Sequence, residues 1–104
     1  MPSPISATTL AEQISNFQIV DVRRRPAFDT SPALLPTATW RSPDEVTQWQ
    51  AALNPAWPIV VYCVHGHEVS QGCADILLAA GFNVSYLEGG FEQWVNEGRA
   101  VDTK

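Results

Sequence analysis

Short apolar runs alternate along this chain with stretches where apolar residues recur every three or four positions. Two runs dominate, Phe17 to Val22 (FQIVDV) and Ile59 to Tyr62 (IVVY). Both are rich in β-branched residues and lack strict polar alternation, so each predicts a strand buried on both faces. Val84 to Leu87 predicts a further strand. The intervening segments carry helical spacing. Ser6 is placed to cap a short helix in which Leu10 and Ile14 lie one turn apart. Ser42-Pro43-Asp44-Glu45 reads as a helix start, with Ser42 as cap, Pro43 in the first turn and Glu45 closing a capping box. Val46, Trp49 and Leu53 then form an inward stripe. Val69, Cys73, Ile76, Leu77 and Ala80 define one face of a longer helix that Gly81 ends. After Gly89-Gly90 a last helix is expected to turn Phe91, Trp94 and Val95 inward. Arg23-Arg24-Arg25-Pro26 breaks the first strand. Four of the eight prolines fall between Pro26 and Pro43, so residues 26–41 are expected to be loop, with a short strand near Thr39 to Arg41. This alternation argues for an α/β fold, a parallel sheet covered by helices on both faces. A length of 104 residues fits one domain, 1–104.

Composition narrows the function. Apolar residues make up 45% of the chain, and four Trp and four Phe are enough large side chains for a core without disulfide staples. The net charge of −5 repels phosphate backbones and anionic lipid, so neither nucleic acid nor a membrane is an expected partner. No apolar run reaches the length of a bilayer span, and the start lacks the basic-then-apolar order of a secretion signal. The two cysteines are too few for a disulfide framework. A cytoplasmic location with reduced thiols is therefore expected.

The candidate chemistry lies after the second apolar run, in Tyr62-Cys63-Val64-His65-Gly66-His67-Glu68-Val69. Cys63 ends a central strand and precedes a tight loop and a helix. Ligands of open parallel sheets bind outside the carboxyl ends of the strands. Backbone N–H groups of such a loop can form an anion nest, and the next helix adds its positive end; both favour thiolate over thiol. Gly66 allows the backbone to pass close to the sulfur, and His65 and His67 are loop donors or plain exposed residues. Cys73 reads as a core residue by its helical stripe. Asp21 is expected to satisfy loop N–H groups. Arg23 is a candidate to steer an anionic substrate, against the plainer reading of Arg23 to Arg25 as a solvated face.

Several segments together resemble the rhodanese family of sulfurtransferases. The pattern C-x-x-G at 63–66 is similar to the family's active-site loop, and Ile19-Val20-Asp21-Val22-Arg23 to its D-V-R strand end. Leu35-Pro36-Thr37-Ala38 resembles its I-P-G-A segment. Ala80-Gly81-Phe82 and Leu87-Glu88-Gly89-Gly90-Phe91-Glu92-Gln93-Trp94 resemble its A-G-F and L-x-G-G-x-x-x-W stretches. The resemblance implies a rhodanese-like α/β domain with a mostly parallel sheet of about five short strands. It also implies catalysis through a Cys63 persulfide. The backbone of Val64, His65, Gly66, His67, Glu68 and Val69, with Arg23, would bind a small anionic sulfur donor; a thiol or cyanide would accept the sulfur. No cofactor and no metal is implied.

Three features depart from that pattern. Glu68 stands five positions after Cys63, where the family often carries Arg. The segment from Cys63 to Gly81 is one residue longer than in compact members, and Ala33-Leu34 replaces a G-H pair. Glu68 favours a second reading, a non-catalytic module that binds a protein partner or senses an oxyanion. A third is a thiol redox protein using Cys63 and Cys73. Phosphatase or arsenate-reductase chemistry needs an Arg six positions after the cysteine. Val69 stands there, and no Arg or Lys occurs from Val64 to Asn83.

Overall fold

The computed structural model describes residues 2–104. The chain runs through β1 (Ser3–Ile5), α1 (Ala7–Glu12), β2 (Gln18–Asp21), α2 (Arg25–Thr30), β3 (Ala33–Leu34) and β4 (Thr39–Trp40). It continues with α3 (Val46–Trp49), β5 (Ile59–Tyr62), α4 (Glu68–Ala79), β6 (Val84–Leu87), α5 (Gly90–Asn96) and β7 (Asp102–Thr103). Five strands form one sheet in the order β1-β6-β5-β2-β4, and every neighbouring pair is parallel. β3 and β7 form a separate antiparallel pair.

The sheet is covered on both faces, and β5 shows why its run had to be apolar throughout. Side chains alternate across a strand. Ile59 and Val61 join Val20, Val46, Trp49, Cys73, Ala74 and Leu77 on one side. Val60 and Tyr62 join Ala7, Leu10, Ile19, Leu35, Leu87 and Trp94 on the other. All four residues of β5 are at most 1% exposed. The sheet thus presents the carboxyl ends of β2 and β5 side by side, with Asp21 paired in register with Tyr62.

Several local expectations hold in detail. The Ser6 side chain accepts from the Thr9 N–H at 3.1 Å and caps α1. Gly81 follows α4 with φ +95°. Others need correction. Residues 26–41 are not mostly loop: α2 occupies Arg25–Thr30, because Pro26 sits in the first helical turn, where its missing N–H costs nothing. The short strand appears at Thr39–Trp40. Ser42 does not build a capping box. Its side chain accepts from the Asp44 N–H at 3.4 Å, and Pro43–Glu45 forms a 3₁₀ turn before the one-turn α3. The inward face of α4 is Ser70, Cys73, Ala74 and Leu77 rather than the expected stripe, leaving Ile76 42% exposed and Ala80 exposed. Small Ser70 and Ala74 let the helix sit close on the sheet, which rotates Ile76 outward. Val95 likewise points out, 45% exposed, while Trp94 is 1% exposed and donates to the Ala100 carbonyl.

Candidate active site at the Cys63 loop

Cys63 follows β5 directly, 5% exposed, and the loop 64–67 carries the chain into α4. The path of this loop is fixed from its carbonyl side. The first N–H groups of α5 have no partners within their own helix. Phe91 N–H donates to the Cys63 carbonyl at 2.8 Å, and Glu92 N–H to that of Val64 at 2.9 Å. Gln71 Nε2 donates to the Gly66 carbonyl at 3.1 Å, and Gln71 N–H to that of His67 at 3.0 Å. In a trans peptide the carbonyl and the following N–H point in opposite directions. Holding the Cys63 and Val64 carbonyls toward α5 therefore turns the Val64 and His65 amides away from it. Among the described residues, no protein acceptor pairs with the backbone N–H of residues 64–70. The loop is a ring of donors with the carbonyls of Cys63, Val64, Gly66 and His67 already occupied, next to a cysteine and at the N-terminus of the 12-residue α4.

Two glycines make this packing possible. A Cβ on Gly66 (φ +74°) would stand 2.7 Å from the Leu87 carbonyl oxygen and 2.8 Å from the Gly89 nitrogen. A Cβ on Gly90 (φ +63°) would stand 2.5 Å from the Val64 oxygen and 2.6 Å from the Cys63 oxygen. The two backbones touch where no side chain fits.

A cleft of about 260 Å³ opens over the loop, lined on one side by Cys63, Val64, His65, His67, Glu68 and Val69. Arg23, Arg24 and Ala27 form the other wall. The structure thus brings together the residues expected at the site, with Gly66 buried beneath. Glu68 is the first residue of α4 and lies exposed on the rim. His65 Nδ1 lies 3.5 Å from a Glu92 carboxylate oxygen, both side chains 56% exposed.

Arg23 lines the cleft, but its Nε and Nη2 N–H groups are committed elsewhere. The side chain is 2% exposed, and its Nε and Nη2 donate to Asp21, the shortest at 2.6 Å. Nη2 also donates to the Ala33 carbonyl at 3.0 Å, and the guanidinium stacks 4.2 Å from the Phe91 ring centroid. Asp21, 0% exposed, accepts in addition from the Arg23 backbone N–H and from the Tyr62 hydroxyl, each at 2.9 Å. The Tyr62 hydroxyl accepts from the Leu35 N–H at 3.1 Å. Burial, helped by the Asp21 charge, pushes the Tyr62 hydroxyl well above the ordinary phenol range. This buried network braces Phe91, whose ring stacks on Tyr62 and against the Arg23 guanidinium.

The sequence reading missed Ser70. Its hydroxyl is buried and lies 3.2 Å from Cys63 Sγ and 3.5 Å from the His67 carbonyl. With the thiol protonated, Cys63 donates to Ser70. With a thiolate or persulfide, the Ser70 hydroxyl can turn and donate to sulfur. A signal existed: Ser70, Cys73 and Leu77 share one helical face, and a serine on an apolar face needs a partner. Cys73 lies on the same face, 3% exposed, with its thiol against the Pro43 carbonyl at 3.8 Å. Burial pushes that thiol up to about 12, with the nearby Cys63 and Asp44 adding to the effect. It stays protonated at neutral pH, which argues against a resolving role.

Fold and site together define an α/β domain with a cysteine at a strand end, held in a loop of unpaired amides. Residues 6–97 match the rhodanese-like domain family. The chain belongs to that family. It is 33% identical over 92 residues to the thiosulfate sulfurtransferase GlpE of Pseudomonas savastanoi pv. phaseolicola, covering 88% of this chain and 82% of that protein. It is 30% identical over 83 residues to the enzyme of the same name from Tolumonas auensis, covering 79% and 76%. A rhodanese-related protein from Thermoplasma volcanium superimposes with a TM-score of 0.88 over the whole of both chains, at 26% identity. Among the described residues, no helix is long and apolar enough to cross a membrane.

Proposed function

We propose that the protein is a sulfurtransferase that carries sulfane sulfur on Cys63. The observation that supports it best is the loop itself, whose carbonyls at 63, 64, 66 and 67 are occupied while the amides of 64–70 have no protein acceptor among the described residues. That arrangement suits a small anion or an anionic sulfur. The Cys63 thiolate attacks the outer sulfur of thiosulfate, the S–S bond of the donor breaks, and sulfite leaves with the bonding pair. Cys63 now bears a persulfide, stabilised by the loop amides and the Ser70 hydroxyl. A cyanide or thiolate acceptor then attacks the outer sulfur, and Cys63 leaves as thiolate. No electron is gained or lost from outside. The cycle needs a reduced Cys63, which fits a cytoplasmic setting.

The test is intact mass after incubation with thiosulfate and removal of excess reagent. One added sulfur atom is expected on the wild type and none on Cys63→Ser. A second reading, a non-catalytic module, has one feature in its favour: the exposed Glu68 carboxylate on the cleft opposes an anionic sulfur donor. An unchanged mass on folded protein with Cys63 reduced would favour that module over an enzyme.

A further inference from the structure

The cleft over Cys63 has a neighbour. It shares Arg23, Ala27 and Val64 with this second hollow, of about 360 Å³, between α2 and α5. Thr30 and Ser31 close one side of that hollow; Phe91, Val95 and Asn96 close the other. Thiosulfate and cyanide have no organic body and leave this space empty. Its wall is mixed: Ala27, Val64, Phe91 and the 45% exposed Val95 are apolar, while Thr30, Ser31 and Asn96 offer hydrogen bonds.

The charges around it are asymmetric. Glu92 lines the hollow and Glu68 the adjoining cleft, both exposed. Each nearby cation stands against a carboxylate: Arg23 is buried against Asp21, the exposed Arg24 lies 3.9 Å from Asp44, and His65 faces Glu92. Building on the persulfide reading above, we infer that the α2–α5 hollow is the acceptor subsite, and that it takes a small organic thiol with a neutral or cationic aliphatic body. The thiolate of that acceptor attacks the outer sulfur of the Cys63 persulfide. The Cys63 S–S bond breaks, Cys63 keeps the bonding pair, and the acceptor departs as its own persulfide. A carboxylate-bearing thiol meets Glu92 and Glu68 and is disfavoured.

Single-turnover measurements isolate this half-reaction. Wild-type protein is first loaded with sulfur from thiosulfate. Loss of the added sulfur is then followed with N-acetylcysteamine, cysteamine, 3-mercaptopropionate or cyanide, at matched thiolate concentration. The neutral and cationic thiols are expected to react roughly tenfold or more faster than the anionic one. Val95→Trp, a surface change that fills the hollow, should slow N-acetylcysteamine by roughly tenfold and leave cyanide within about twofold. Glu92→Gln should raise the rate with 3-mercaptopropionate relative to that with N-acetylcysteamine. Equal rates for the three thiols on the wild type overturn the inference. So does a Val95→Trp protein in which cyanide slows as much as the thiol. Failure of the wild type to take up sulfur at all is seen before any acceptor is added, and it overturns the persulfide reading itself together with the subsite.

Discussion

Replacing Gly90 by Ala tests how the loop is held, and Gly81 supplies an internal control. Both glycines have positive φ, +63° and +95°. An Ala Cβ at Gly81 meets nothing within 4 Å. Gly81→Ala should therefore cost only the left-handed backbone penalty, about 1–2 kcal/mol. At Gly90 the added Cβ would fall 2.5–2.6 Å from three backbone atoms, the Val64 and Cys63 oxygens and the Gly66 nitrogen. Backbone cannot rotate aside as a side chain would, so α5 and the loop must separate. The hydrogen bonds from Phe91 and Glu92 to the loop carbonyls are then stretched or lost. Two such bonds are worth about 1–3 kcal/mol together, which brings Gly90→Ala to about 2–5 kcal/mol. For a domain of this size, each kcal/mol lowers the melting temperature by roughly 4–8 °C. Thermal melting and the rate of thiocyanate formation from thiosulfate and cyanide read the two effects. Gly81→Ala should melt lower but turn over normally, whereas Gly90→Ala should melt lower still and lose most turnover at temperatures where it is folded. A Gly90→Ala protein that matches Gly81→Ala in both would refute the idea that α5 sets the loop.

Three further outcomes are expected. Glu68→Arg should lower the KM for thiosulfate, because like charges a few ångströms apart cost about a few kcal/mol at a protein surface before screening; the gain should shrink as salt is raised, and steady-state kinetics at two ionic strengths check both. Asp21→Asn should destabilise by about 3–5 kcal/mol in denaturant titration, since it leaves the buried Arg23 guanidinium without its counter-charge; a loss under about 1 kcal/mol would show that Arg23 finds water instead. Stability should also fall in alkali. The folded state raises the Cys73 thiol from 9.0 to about 12, so the unfolded chain ionises first. The contribution is complete below pH 9 and is lost as pH rises toward 12, by at most about 1.4 kcal/mol per pH unit. Tyr62 adds the same sign from its ordinary value of 10.0 upward. Denaturant midpoints from pH 8 to pH 10.5 should fall less steeply in Cys73→Ala, and parallel curves would contradict the buried, neutral thiol.

What the sequence disclosed follows the physics of its signals. The run IVVY could only be a strand with both faces covered, and the Ser6 cap needed nothing beyond its own helix. Segments whose structure depends on distant partners were illegible. β1 is three residues long with Pro4 at its centre, and it exists because it pairs with β6 near the other end of the chain. α2 was hidden because Pro26 reads as a breaker from one side and as a first-turn residue from the other. Cys63 and its loop were visible because a strand-end cysteine that opens C-x-x-G is a local pattern. Ser70, the α5 amides and the Asp21–Arg23–Tyr62 network were not, since each acts through a contact that only the fold creates. Val95 was expected inside from its spacing alone. The seven-residue α5 turns Trp94 to the core, and one face of so short a helix cannot bury both neighbours.

The hold of α5 on the loop has a consequence for biosynthesis. The cysteine is encoded at position 63, but the two amides that shape its loop belong to residues 91 and 92. A growing chain that has emerged only through β5 has a thiol and no cradle. The sheet order delays it further, because β6 must insert between β5 and the already synthesised β1 before α5 can dock. Such long-range closure is slow relative to local folding. If Cys63 carries sulfur as proposed, its reactivity toward sulfur donors is switched on late, after the strands have registered, and a nascent or stalled chain offers an ordinary cysteine instead. Timed alkylation of ribosome-bound chains of increasing length would show this as a step in the alkylation rate of Cys63 once residue 92 clears the exit tunnel.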